Sequence, residues 1–317
     1  MAKTAKAPAK RTAAKKFPRV GSGELVTVLD FIRFAVSRYA EAEVVFAHGT
    51  TDPVAEAAFL VCEALHLHPD QFEPFANARV TKAEGAKILK LIEQRVVTQK
   101  PAAYLVNKIY MRGLPFFVDE RVIVPRSFIG ELFDTHFSGE EASLIDEPAE
   151  VERVLDLCTG SGCLAILASQ TFLNAQVDAV DISKDALAVA AINVADYGLD
   201  DRIALHRGDL FAPLGDARYD LIVSNPPYVD AQGMAALPPE CRHEPKIAFD
   251  GGKDGIDIVR RIIADAPRHL TPDGGLLCEI GRGREVIEDA FPHLPLLWLD
   301  TEDSDGEVFW IGAEALR

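Results

Sequence analysis

Asp156-Leu157-Cys158-Thr159-Gly160-Ser161-Gly162 follows an apolar run and precedes a stretch of helical character. This is the layout of a strand turning into a helix through a glycine loop, where missing side chains let the backbone approach a ligand closely. A second apolar run ends in Asp181, 21 residues after Gly160, where a carboxylate can hold ribose hydroxyls. Gly160-x-Gly162-x-x-Ala165 also satisfies the dinucleotide fingerprint, so the loop alone leaves the cofactor open. Charge separates the alternatives. A nicotinamide dinucleotide brings an anionic pyrophosphate, whereas S-adenosylmethionine brings a sulfonium cation and no phosphate. Asp156 before the loop, Asp181, and Asp209 in Gly208-Asp209-Leu210-Phe211 favour the cation.

A second signal decides the reaction type. The apolar run Leu221-Ile222-Val223-Ser224 leads straight into Asn225-Pro226-Pro227-Tyr228. Ligands of open parallel sheets bind beyond the carboxyl ends of strands, where this tetrapeptide must stand. The prolines fix φ and remove backbone donors, Asn225 adds a side-chain carbonyl, and Tyr228 adds a flat π face. Two acceptors and a stacking surface suit a planar NH2 group on an sp2 carbon. Asn225, Pro226 and Tyr228 are therefore the expected catalytic residues, with Pro227 completing the substrate contact. In this reading Asn225 Oδ1 and the Pro226 carbonyl accept both amide hydrogens and orient the nitrogen for methyl transfer. No general base is required before transfer; His243 is the nearby candidate for proton removal, though a structural role is favoured for it.

Asp-Leu-Cys-Thr-Gly-Ser-Gly followed by Asn-Pro-Pro-Tyr resembles the class I methyltransferases that act on planar nitrogen. Pro101-Ala-Ala-Tyr104-Leu105, Val122-Ile-Val-Pro125-Arg126-Ser127, His243-Glu244-Pro245, Gly251-Gly252-Lys253-Asp254-Gly255 and Cys278-Glu279-Ile280-Gly281 extend the resemblance to the protein-(glutamine-N5) methyltransferases. It covers nearly everything from Leu25 to Ile311. One group of that family methylates peptide-chain release factors and a sister group methylates the large-subunit ribosomal protein L-three. The chain is similar to the second: Cys158 stands where the release-factor enzymes carry glycine, residues 125–132 read Pro-Arg-Ser-Phe-Ile-Gly-Glu-Leu, and His48-Gly49-Thr50 lies in the N-terminal region. The resemblance implies S-adenosyl-L-methionine as cofactor, contacting Asp156, Cys158, Thr159, Gly160, Ser161, Gly162, Asp181, Asp209, Leu210 and Asn225. It also suggests that Phe116 or Phe117 covers the cofactor, with plain core the equal alternative and Phe116 taken as a substrate contact; Glu279, at a strand end, is expected to be structural or to support residues that line the site.

These residues need a frame. Leu25, Val28, Leu29, Ile32 and Val36 recur at helical spacing; Asp52-Pro53 starts a second helix and Thr81 with Glu84 forms a capping box before a third. Tyr104 to Arg112, Leu114 to Val118 and Val122 to Val124 read as short β runs, and strand and helix alternate from Val151. The chain then divides into a basic tail (1–20), a helical substrate-recognition domain (21–103), a β-hairpin linker (104–126) and an S-adenosylmethionine-dependent methyltransferase domain (127–317). The fold class is α/β, Rossmann-like, with a mostly parallel sheet and an antiparallel terminal strand.

Composition limits partners. The tail holds seven Lys or Arg and no acid, whereas from Gly21 onward 26 basic residues face 49 acidic ones, a net charge of −23. Such a body repels nucleic acid phosphates and attracts a basic partner such as a ribosomal protein. That argues against a DNA or RNA amino-methyltransferase; an intact glycine loop, Asp181 and tetrapeptide argue against a non-catalytic ribosome-binding module. A release-factor enzyme remains the alternative. Weak ribosome or RNA contact is open to the tail, which lacks the apolar stretch of a secretory signal. Five cysteines without a Cys-x-x-Cys pair fit a reducing, cytoplasmic setting without a structural metal, and no apolar run reads as a membrane span.

Overall fold

A computed structural model describes residues 23–47, 50–137, 143–145 and 147–317, with the backbone alone of Asp70. The basic tail, with its suggested RNA contact, and His48-Gly49 lie outside the described residues. The chain separates into two compact units, 1–106 and 107–317.

The first unit is helical: α1 (Val28–Ala42), α2 (Pro53–Leu65), α3 (Lys82–Thr98) and α4 (Ala102–Val106). Each long helix starts where its sequence dictates. Thr27 and Asp30 form a capping box on α1, Asp52 accepts from Val54 and Ala55 N–H ahead of Pro53, and Thr81 and Glu84 form a second box on α3. Backbone N–H donors hold the Asp30 and Glu84 carboxyls below their ordinary pKa. Phe31, Ile32, Leu60, Val61, Ile88 and Ile92 fill the core. Arg95 is buried there too, its Nε donating to Glu56 at 2.8 Å and its Nη2 to the Val45 carbonyl at 3.0 Å. One expectation is corrected: Tyr104 belongs to α4, because Pro101 opens a turn whose carbonyl accepts from Tyr104 N–H, and extended structure begins only at Ile109.

The second unit opens with a hairpin, β1 (Ile109–Met111) and β2 (Leu114–Phe116), turning through Arg112 and Gly113, both at positive φ as such two-residue turns require. Val122 to Val124, read as a strand, is irregular; its valines are buried, but Val124 N–H donates to Glu244 instead of to a ladder. After α5 (Ile129–Thr135) come β3 (Arg153–Leu157), α6 (Cys163–Thr171), β4 (Gln176–Asp181), α7 (Lys184–Asp196), β5 (Ile203–Arg207) and β6 (Tyr219–Ser224). Then follow α8 (Ala231–Ala236), α9 (Asp257–His269), β7 (Leu270–Glu279), α10 (Arg284–Ala290), β8 (Leu297–Thr301) and β9 (Ser304–Gly312). The sheet order is β5-β4-β3-β6-β7-β9-β8, parallel from β5 to β7 and antiparallel where β9 pairs with β7 and β8. The mostly parallel sheet with an antiparallel end is the one read from the alternation of strand and helix. Apolar cores cover both of its faces. β4 lies on one side of β3 and β6 on the other, so the strand order reverses there and opens a crevice at the carboxyl ends of these strands.

Candidate active site

The three strand ends are tied together by their own polar groups. Ser224 Oγ donates to the Leu157 carbonyl (2.9 Å), Thr159 N–H to the Val180 carbonyl (3.0 Å) and Gly160 N–H to Asp181 Oδ2 (2.9 Å). Asp181 Oδ1 accepts from Ser183 N–H at 2.8 Å, and the Ile182 N–H also bonds this carboxylate, which lines the crevice. Burial raises the Asp181 carboxyl above its ordinary pKa. The loop is left-handed at Cys158 (φ 62°), Gly160 and Gly162. A Cβ on Gly162 would stand 3.2 Å from Ala190 Cβ, so glycine is also what lets the loop lie against α7.

A cleft opens above these ends, where ligands of open parallel sheets bind. Of the predicted contacts it brings together Cys158, Gly160, Asp181, Asp209, Leu210, Asn225 and Pro227. Ile182, Ile247 and Ile258 give it apolar walls, and Arg121 and Arg261 also line it. The reading of the sequence missed these walls; the available signal was Ile182 directly after a strand-ending Asp181. Desolvation holds the Cys158, Cys163 and Cys278 thiols above their ordinary pKa, so they pack instead of reacting.

Several predicted residues stand elsewhere. Asp156 is fully buried beneath the loop, where Oδ2 accepts from Thr159 Oγ1 (2.6 Å) and from Ala165 N–H (3.1 Å) in the first turn of α6. It organises the loop and does not line the cleft; burial pushes its pKa up to about 7. Thr159, Ser161 and Gly162 are buried with it and do not line the cleft. Asp209 lines the cleft but is ion-paired to Arg261 at 2.8 Å, so its charge is already matched. The three-carboxylate argument for a cationic ligand thus reduces to Asp181. Phe116 is corrected outright: it is 1% exposed and packs in the core against Tyr197, leaving nothing to cover a ligand. His243 is absent from the cleft lining.

The tetrapeptide is held from outside the cleft. Asn225 Nδ2 donates to the Arg126 carbonyl at 3.0 Å. A carbonyl must be met by the NH2 side of the amide, so Oδ1 is left as the acceptor. Pro226 is buried, and Tyr228 is largely buried with its hydroxyl directed at Glu279 (3.4 Å). Asn193, which the sequence reading passed over, fixes the neighbouring chain: Nδ2 donates to the Ser161 and Phe117 carbonyls and Oδ1 accepts from Phe117 N–H. Its signal was a lone amide among Val189, Ala190 and Val194 on the buried face of α7.

Residues 142–237 match the Methyltransferase small domain family. Over its whole length the chain is 74% identical to the ribosomal protein uL3 glutamine methyltransferase of Bradyrhizobium diazoefficiens, covering all of that protein. Proteins of the same description from Bordetella pertussis and Burkholderia pseudomallei are 52% and 53% identical, over 93% and 92% of this chain and 97% and 95% of theirs.

Proposed function

The chain belongs to the ribosomal protein uL3 glutamine methyltransferases, and on that premise we propose that it transfers a methyl group from S-adenosyl-L-methionine to the side-chain amide nitrogen of a glutamine in uL3. One observation carries the chemistry: Asn225 presents Oδ1 at the end of β6 because the Arg126 carbonyl occupies its NH2 group.

The lining of the cleft fits the cofactor in chemistry. Asp181 offers a carboxylate to vicinal hydroxyls, Ile182, Ile247 and Ile258 offer apolar walls to a flat base, and the backbone of the glycine loop admits close approach. Bound there, the cofactor supplies an electrophilic methyl on a sulfonium. The rest falls to the chain. A glutamine nitrogen is a weak nucleophile because its lone pair is delocalised into the carbonyl. Asn225 Oδ1 and the Pro226 carbonyl accept its two hydrogens, turn its lone pair toward the methyl and favour the more positive nitrogen of the transition state. Tyr228 bounds the amide plane. Positioning supplies most of the acceleration, and the proton leaves once the methyl has arrived.

The protein substrate is basic in this reading, the helical unit supplies selectivity among substrates, and the reaction belongs to the cytoplasm. No described helix is long and apolar enough to cross a membrane. The test is direct: the full chain with methyl-labelled cofactor is offered uL3, a release factor and nucleic acid side by side, and the labelled residue is identified by mass spectrometry. Label on a uL3 glutamine is the expected outcome; label confined to release factor or nucleic acid would overturn the reading.

A further inference from the structure

Two carboxylates that do not line the cleft converge on one irregular segment, Val124 to Phe128. With neither ladder nor helix there, its N–H groups need other acceptors. Glu244, buried, accepts from Val124 N–H at 2.8 Å. Glu279, at the end of β7 and 1% exposed, accepts on Oε2 from Ser127 Oγ (2.6 Å) and Phe128 N–H (3.0 Å), and on Oε1 from the Tyr228 hydroxyl (3.4 Å). Arg126 lies between these anchors, and its carbonyl is the group that turns the Asn225 amide. The far side of the tyrosine is closed as well. Gly281 is left-handed, and a Cβ there would stand 2.6 Å from the Tyr228 ring; a Cβ on Gly255 would stand 2.6 Å from the Tyr228 carbonyl. The two glycine-bearing motifs are therefore a mould around Tyr228, with Glu279 joining that mould to the Asn225 side.

We propose that Glu279 is a positioning residue for methyl transfer: its carboxylate ties the Arg126–Phe128 segment, which sets the Asn225 amide, to the Tyr228 hydroxyl, so that both sides of the substrate-amide site keep one geometry. This rests on the reading that Asn225 and Tyr228 receive the substrate glutamine. All three partners donate, so the working form is the carboxylate. Burial, with Glu307 adding to it and the Ser127, Phe128 and Tyr228 donors opposing it, pushes its pKa up to about 7; the Cys278 thiol is a further titratable neighbour, and the Arg126 guanidinium acts on Tyr228. Proton uptake below that value removes acceptor capacity, and kcat falls with it.

The experiment compares full-length wild type, Glu279→Gln, Glu279→Ala and Ser127→Ala for methylation of uL3 across about pH 5.5 to 9, with cofactor Kd and Tm measured alongside. Glu279→Gln is expected to lower kcat by about tenfold to a hundredfold, as a displacement of reacting groups by about an ångström does, while cofactor Kd, KM for uL3 and Tm stay near wild type. The acid limb of kcat near pH 7 should be present in wild type and absent in Glu279→Gln. Ser127→Ala should show a smaller fall in kcat of the same kind, and Glu279→Ala a larger one. A Glu279→Gln variant with wild-type kcat would overturn the proposal. An unchanged acid limb in that variant would overturn it equally, and so would a fall in kcat matched by falls in cofactor affinity and Tm. Should Glu279→Gln not fold, Ser127→Ala decides, and wild-type kcat there overturns the role. Wild-type protein that methylates no glutamine overturns the functional reading and the positioning role together, whereas active wild type with an indifferent Glu279→Gln overturns the positioning role alone.

Discussion

The orientation of Asn225 is settled before a substrate arrives, because its NH2 group is committed to the Arg126 carbonyl. Asp181 has a comparable double duty: its oxygens accept from Gly160 and Ser183 N–H, and the residue lines the cleft. Asp181→Ala should therefore weaken cofactor binding by about 1.5–3 kcal/mol, the scale of hydrogen bonds to a charged group, as measured by calorimetry. Unchanged affinity would remove Asp181 from the cofactor site. Both residues were legible in the sequence because strand ends and turn residues advertise themselves. Phe116 was not, since nothing in a short β run tells which of two adjacent phenylalanines the pleat buries; the structure buries Phe116 and leaves Phe117 half-exposed.

At the scale of elements, the glycine loop is held by a carboxylate from below. α6 begins at Gly162 with no side-chain cap, and Asp156 on β3 supplies the acceptor for Ala165 N–H in its place. The cost is a buried charge, visible in a carboxyl pushed up to about 7. A carboxyl whose folded pKa lies above its unfolded value favours folding at low pH and loses that advantage as pH rises through the folded pKa. Hence the Tm of Asp156→Asn relative to wild type should rise between about pH 5 and pH 8. A difference independent of pH would contradict the assignment. The alternation of strand and helix made this sheet readable, down to its antiparallel end, and capping signals placed α2 and α3. Within the irregular Val122–Phe128 segment, Val122 to Val124 was misread as strand because it carries the same buried valines. What distinguishes it is its acceptors, Glu244 and Glu279, which lie 120 and 151–152 residues away in sequence, beyond any local pattern.

Across the whole molecule, charge is unevenly divided. Residues 107–317 hold 18 basic and 38 acidic residues, a net charge of −20. A field of that sign hastens the approach of a basic protein and is screened beyond roughly 8–10 Å at physiological ionic strength. The kcat/KM for uL3 should therefore fall as salt rises, with kcat unchanged, in steady-state measurements at several ionic strengths. A salt-independent kcat/KM would place recognition in short-range contacts alone. Net charge was plain in the sequence and excluded nucleic acid as the favoured partner. It could not name a protein substrate, because in the proposed mechanism the tetrapeptide is indifferent to what carries the amide.

The central claim is that Asn225 acts on the transferring nitrogen and not on the cofactor. Single-turnover methylation of uL3 by Asn225→Ala, with cofactor Kd measured on the same preparation, tests it most directly. The account predicts a transfer rate lower by about a hundredfold to a thousandfold, as for loss of an oriented transition-state partner, with cofactor affinity close to wild type. Near wild-type transfer by Asn225→Ala, or a loss of rate explained entirely by weaker cofactor binding, would contradict it.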